Sequence, residues 1–359
     1  MERWIFEIGH LHDEYLNPLE TAGEFAQRFA VSFRDIKKLL PSALVGGIVY
    51  NTALGIDFFM HLLDALENRN VAPDFISVSI FPRELLPSGD KRLTADNMRF
   101  SSNPDYAVEH LRIMKNLLAS RPFFNQRLFV ASIGTDIQMR NLINDTCFQG
   151  AFLAKVVTDF LDCVDMLAYW QLSDLSIESP DIKQPLFGGT GLISTNGIPK
   201  PGYFVLKNFS QFKEQLVEKG KNYFICTNAV NTYSIVLFNY VHPKEPVYLD
   251  HSGQATPDAI YASFKDSPTE DITLTLDKLF PGTYKIVVTT INRKNGSLLD
   301  SLIHYGISSE IQAEDIEYLK EMVHPVTTSH FEDIQNGHMQ FHVQLLSHEV
   351  RFITITRQL

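Results

Sequence analysis

The chain has 359 residues, 45% hydrophobic and 20% charged, with 42 acidic side chains against 31 basic ones for a net charge of −11. The apolar share excludes a mainly disordered chain, and no apolar run approaches the ~20 residues of a membrane helix. The acidic balance argues against a surface that neutralises nucleic-acid phosphates, so no direct nucleic-acid contact is expected. At this length two domains are expected, each with its own core. Cys147, Cys163 and Cys226 have no metal-ligand spacing and are odd in number, which fits reduced thiols in a cytoplasmic protein. The opening MERWIFEIGH has neither a basic leader nor an apolar signal core, so the cytoplasm is the expected location.

Residues 4–8 (WIFEI) read as a strand, followed by a helix over 20–40 with Phe25, Phe29, Phe33, Ile36 and Leu40 at spacings of three and four. Residues 45–50 form the next expected strand, in which Gly46-Gly47 signals close backbone approach. A helix over 56–67, a strand over 74–81 and a long loop to Asn103 come next, then a helix over 106–120 and a strand over 128–133. Asn144-Asp145-Thr146 supplies N-cap chemistry for a helix to about Leu161. A strand over 166–172, a Gly/Pro-rich loop over 180–201 and a helix over 204–215 complete this half. Such alternation predicts parallel β/α units of a TIM-type barrel, five of them where a closed barrel needs eight.

Beyond residue 216 the period changes. Runs at 223–228, 234–240, 272–276, 284–292, 339–345 and 350–356 are β-branched or aromatic, and Pro281-Gly282, Asn295-Gly296 and Asn336-Gly337 mark turns. One helix is expected at 313–322. The pattern predicts an antiparallel β-sandwich over 216–359 behind a partial (β/α) barrel over 1–215, an α/β-plus-β chain.

Three segments carry a resemblance: Tyr169-Trp170-Gln171-Leu172-Ser173-Asp174, then Leu186-Phe187-Gly188-Gly189-Thr190-Gly191-Leu192, then Gly197-Ile198-Pro199-Lys200-Pro201. In that order they resemble glycoside hydrolase family 39, the β-xylosidase and α-L-iduronidase family, and most of all its divergent non-catalytic members at the C-terminus of AraC-type transcriptional regulators. Ile291-Asn292-Arg293, Gly296-Ser297 and His348-Glu349-Val350 are similar to the family's sandwich domain. The likeness covers nearly the whole chain except the family's first three barrel strands, so the chain is expected to be N-terminally incomplete.

The resemblance implies retaining hydrolysis by two carboxyl groups roughly 5 Å apart. The acid/base Glu belongs to a WNEP motif, but the corresponding strand reads Phe6-Glu7-Ile8-Gly9-His10-Leu11-His12 and puts Leu11 at the Glu position. An aliphatic side chain has no proton to give. The nucleophile Glu lies about twelve residues before a helix start like that at Asn144, which is Ser132. Asp136 reaches that position only by a four-residue slip, which would disturb the alternation of the strand. Two pocket positions, His and Tyr in the family, are Ser79 and Phe81.

Trp170 suits stacking on a sugar face as well as a rim tryptophan, and Glu178 a sugar-hydroxyl contact as well as a solvated acid. His10 and His12 line the expected pocket; with Asp13 they lack the converging ligands of a metal site, so neither a metal nor any other cofactor is expected. His338 and His342 read as solvent-facing strand residues. The expected function is a catalytically inactive family-39-like module, the sugar-sensing or scaffold part of a carbohydrate-responsive regulator. The expected ligand is a xylose-type mono- or oligosaccharide. The open edges of a five-stranded parallel sheet call for a cover, either a second copy or a preceding segment. The alternative is an active retaining β-xylosidase-type hydrolase in which Asp13, Glu14 or Asp136 replaces the lost pair.

Overall fold

The computed structural model describes residues 4–9, 21–86, 98–124, 127–137, 139–175, 186–244, 257–264, 268–305 and 312–358. His10, Leu11, His12, Asp13, Glu14 and Glu178 lie outside the described residues. The chain forms two compact units, Met1–Ile137 with Phe160–Trp170 and Gln138–Asp159 with Gln171–Leu359.

In chain order the elements begin β1 (Ile5–Ile8), α1 (Ala22–Leu39), β2 (Leu44–Asn51), α2 (Ile56–Glu67), β3 (Ile76–Ile80), β4 (Arg83–Leu85), β5 (Met98–Phe100), α3 (Tyr106–Ala119), β6 (Leu128–Ile133), α4 (Phe148–Phe160) and β7 (Met166–Tyr169). α1 starts at a capping box: the Thr21 hydroxyl accepts from the Glu24 N–H at 3.3 Å, and the Glu24 carboxylate accepts from the Thr21 N–H at 2.9 Å. Its apolar stripe buries Phe25 and Phe29 completely or nearly so, as the spacing predicts. Strands β1, β2, β3, β6 and β7 pair in that order, all parallel. This curled sheet is part of a TIM-type barrel, and β3 is buried along its whole length.

The expected close approach at Gly46-Gly47 is physical. A Cβ at Gly46 would lie 2.3 Å from the Phe75 carbonyl oxygen, and Gly47 has φ +126° with a would-be Cβ 2.6 Å from the Ile8 nitrogen. The pairing of β2 with β3 shifts register between Gly47 and Tyr50, a bulge that this pair of glycines admits.

The long loop expected after β3 contains the antiparallel hairpin of β4 and β5, strands too short to show a period. The helix expected at 204–215 is α5, Pro201–Phe209, because Pro201 is suited to the first helical turn. The remaining elements are β8 (Gln215–Gly220), β9 (Tyr223–Thr227), β10 (Thr232–Phe238), α6 (Pro257–Ala262), β11 (Glu270–Asp277), β12 (Gly282–Ile291), α7 (Leu298–Tyr305), α8 (Ala313–Met322), β13 (Val326–Ile334), β14 (His338–Leu345) and β15 (Val350–Arg357). Six strands form one antiparallel sheet in the order β13-β12-β15-β10-β9-β8, and β11 pairs with β14 in another. Ile235, Ile286 and Ile353 of the first sheet share a core with Leu274, Met339 and Leu345 of the second, which makes the sandwich. β8 and β13 escape the sequence pattern because both are largely exposed on each face. Among the described residues no helix is long and apolar enough to cross a membrane.

Candidate functional site

In a β/α barrel, ligands meet the C-terminal ends of the strands. β3 and β6 carry Ser79 and Ser132 there, paired in register and 6% and 7% exposed. The Ser132 hydroxyl donates to the Ser79 hydroxyl at 2.7 Å. Two of the expected site residues are therefore brought together, as a neutral pair.

Phe81 follows β3 and is buried. A Cβ at Gly134 would lie 3.0 Å from its ring and 3.0 Å from the Trp170 carbonyl oxygen, so Phe81, Gly134 and the Trp170 backbone are adjacent. Trp170 directly follows β7, its N–H donating to the Ile133 carbonyl at 2.8 Å. Its side chain is 45% exposed, open enough to receive a flat partner.

Asp136, the acid nearest Ser132 in sequence, is fully buried and ion-paired. Arg83, itself 2% exposed, donates from Nε to Oδ1 at 2.5 Å and from a terminal nitrogen to Oδ2 at 2.8 Å. Both carboxylate oxygens are engaged by one guanidinium. Arg83 is absent from the sequence expectations; its position just after Pro82, at the end of a predicted strand, was the available signal. Two further acids that follow strands of this sheet, Glu84 after β3 and Asp174 after β7, are also ion-paired. Glu84 meets Arg99 at 3.0 Å and accepts from the Ser101 hydroxyl at 2.6 Å, which with Arg99 holds its carboxyl below the usual range. Asp174 meets Lys200 at 2.6 Å.

On the face of the first unit a cavity of about 290 Å³ is lined by Ile5, Glu7, Phe75, Phe129, Ala131 and Met166. Ile5 and Met166 open their strands and Phe75 precedes β3, and none of Ser79, Ser132 and Trp170 is among these lining residues. Among the described residues no group of three His, Cys, Asp or Glu side chains is placed to hold a metal ion.

The motifs that carry the resemblance meet in the second unit around one buried cation. Lys200 is fully buried, and its ammonium lies 2.6 Å from Asp145, 2.6 Å from Asp174 and 2.9 Å from the Gly189 carbonyl. Asp174 also accepts from the Gly191 N–H and Asp145 from the Gly188 N–H, each at 2.6 Å. A Cβ at Gly189 would lie 2.4 Å from an Asp174 oxygen, so only glycine fits the loop. Burial pushes the Asp145 carboxyl up to about 6 against the pull of Lys200. Burial would lower the Lys200 ammonium, but the two aspartates outweigh it and hold its pKa above the ordinary lysine value. This cluster is structural: all three charged side chains are fully buried or nearly so.

The comparisons with known proteins match this geometry. A family model described as glycosyl hydrolases family 39 matches residues 1–340. A β-xylosidase of Geobacillus stearothermophilus is 24% identical over 246 residues, 67% of this chain and 48% of the relative. A β-xylosidase of Caldicellulosiruptor saccharolyticus is 25% identical over 61% of this chain and 43% of its own length. The chain thus spans about half the length of these curated relatives. An uncharacterized HTH-type transcriptional regulator of Staphylococcus aureus is 19% identical over 60% of this chain and 27% of its own. Among solved structures, the family 39 enzyme of Xanthomonas axonopodis pv. citri superposes with TM-score 0.81 at 18% identity, over 99% of this chain and 69% of that one. A monomeric β-xylosidase of Caulobacter crescentus gives TM-score 0.76 at 20% identity, over 93% and 65%. With its parallel half-barrel, its antiparallel sandwich and a family match over nearly its whole length, the chain belongs to glycosyl hydrolases family 39.

Proposed function

We propose that this chain is a catalytically silent member of the family, a module that binds a xylose-type saccharide without cleaving it and serves a carbohydrate-responsive regulator. The observation that carries this reading is the serine pair. At the position where the resemblance sets a nucleophilic carboxylate, Ser132 turns its hydroxyl to Ser79 at 2.7 Å. A retaining glycosidase needs a carboxylate there and a second as acid, and the sequence has Leu11 at the second position. The bidentate grip of Arg83 on Asp136 speaks against Asp136 as a substitute, since a nucleophile needs a free oxygen. The two β-xylosidase relatives support the xylose class, and the HTH-type relative supports the regulatory setting.

Trp170 is the residue expected to read the sugar, by stacking on its C–H face. Titration of the chain with xylose and xylobiose, followed by calorimetry, is expected to show saturable binding that Trp170→Ala weakens about tenfold or more. Absence of heat at millimolar sugar would overturn the sugar-binding reading. Trp4 is the other tryptophan, so Trp170→Phe also separates the two fluorescence signals.

A further inference from the structure

At the end of β12 the chain makes a tight turn in which Asn292 and Asn295 exchange backbone hydrogen bonds at 2.8 and 3.0 Å, then enters α7. The turn puts Arg293 and Lys294 on the wall of a cavity of about 770 Å³, within the size range of small-molecule sites. Tyr318 and Met322 of α8 and Leu346 of the β14–β15 turn line the same cavity, and each is close to half exposed. Three large apolar side chains converging at one opening differ from the scattered singletons of an ordinary surface.

Arg293 is fixed in place by its own surroundings. Its guanidinium carbon lies 3.6 Å from the centroid of the Tyr261 ring, and its Nε donates to Asp300 at 2.9 Å. The other Asp300 oxygen accepts from the Tyr261 hydroxyl at 2.5 Å and the Ser297 hydroxyl at 2.6 Å. The Arg293 side chain is still 53% exposed, so the cation is held without being sealed. Asp300 is the one acid among the lining residues described, against Arg293 and Lys294, which leaves one net positive charge in a chain of net −11. Ser347 also lines the cavity, and its hydroxyl is buried with no hydrogen-bond partner among the described residues.

From this arrangement we infer that the sandwich unit carries a second ligand site, which takes a small organic monoanion with a carboxylate on an apolar body. A pre-oriented guanidinium favours a planar oxyanion, and the single surplus charge fits one carboxylate better than a dianion. Tyr318, Met322 and Leu346 take the apolar part. The site is independent of the saccharide reading, since it shares no residue with the barrel strand ends.

The test uses 3-phenylpropionate as probe and 3-phenylpropionamide as its neutral counterpart, each titrated into the full chain and followed by NMR. The carboxylate is expected to bind saturably in the millimolar range or tighter, and the amide about tenfold more weakly. Arg293→Met is expected to erase that preference. Met322→Trp, at an exposed helix position, is expected to fill the cavity and abolish binding of both probes, while Trp170→Ala leaves it unchanged. If Arg293→Met does not fold, the amide comparison and Met322→Trp still decide. Equal affinity of the two probes for the unaltered chain, no saturation by about 20 mM carboxylate, or undiminished binding to Met322→Trp would overturn the assignment.

Discussion

Lys200, Asp145 and Asp174 explain why the sequence keeps its most recognisable words. The lysine of Gly197-Ile198-Pro199-Lys200-Pro201 neutralises the aspartate that ends Tyr169–Asp174, and the glycines of the intervening loop bring their N–H groups and carbonyls to the same cluster. Removing one partner of a buried ion cluster leaves uncompensated charge, so Lys200→Met is expected to cost roughly 3–5 kcal/mol in chemical denaturation. The cost should be smaller at pH 5 than at pH 7.5, because the Asp145 carboxyl, already raised by burial, can then take a proton at little expense. An equal cost at both pH values would contradict the cluster's electrostatic role. These residues were legible as motif, but their shared purpose was not. The pairs span from 26 to 55 residues along the chain, as does the 53-residue pairing of Arg83 with Asp136, and no local period encodes such a contact.

The elements were more legible than the contacts between them. Buried strands and amphipathic helices of the first unit announce themselves through apolar runs and 3.6-residue spacing, and α2, β6 and α8 match their expected bounds. What the sequence hid was short or exposed: the β4–β5 hairpin, β8 and β13. Inside β2, Gly46 is the clearest case of a residue read correctly from its type alone. Adding a methyl group at Gly46 drives it against the Phe75 carbonyl, so Gly46→Ala is expected to cost about 3 kcal/mol or more and to loosen the β2–β3 pairing. Urea denaturation measures the cost and amide exchange in β3 the loosening; a loss below about 1 kcal/mol would mean that the Phe75 backbone can give way at this contact. At the strand ends, Ser79, Ser132 and Trp170 were placed by sequence reasoning, while Arg83 was missed because a lone arginine after a proline is usually a solvated one.

Across the whole molecule the acid limb of stability has an identifiable source in the sandwich unit. His348 is 2% exposed, sits at φ +60°, packs 4.3 Å from Phe264 between ring centroids and donates from Nε2 to the Val241 carbonyl at 3.1 Å. Burial pushes its pKa down to about 4. The unfolded chain binds a proton at this site below about pH 6.5 that the folded chain refuses, so stability falls as pH drops from 6.5 towards 4, by roughly 3 kcal/mol in full. Asp145, raised to about 6, works in the opposite direction, its contribution weakening as pH rises from about 4 to 6. His348→Asn keeps a residue type that tolerates positive φ and should flatten the acid limb; a pH profile identical to that of the unaltered chain would reject His348 as its source.

The chemical claim is tested most directly by hydrolysis of 4-nitrophenyl β-D-xyloside, measured for the unaltered chain and for Asp136→Asn. With Ser132 bonded to Ser79 and Asp136 held by Arg83, nitrophenol release is predicted to stay at the buffer rate for both proteins. Turnover by the unaltered chain that disappears in Asp136→Asn would contradict the account, because it would put a working carboxylate at the strand end assigned here to a structural ion pair.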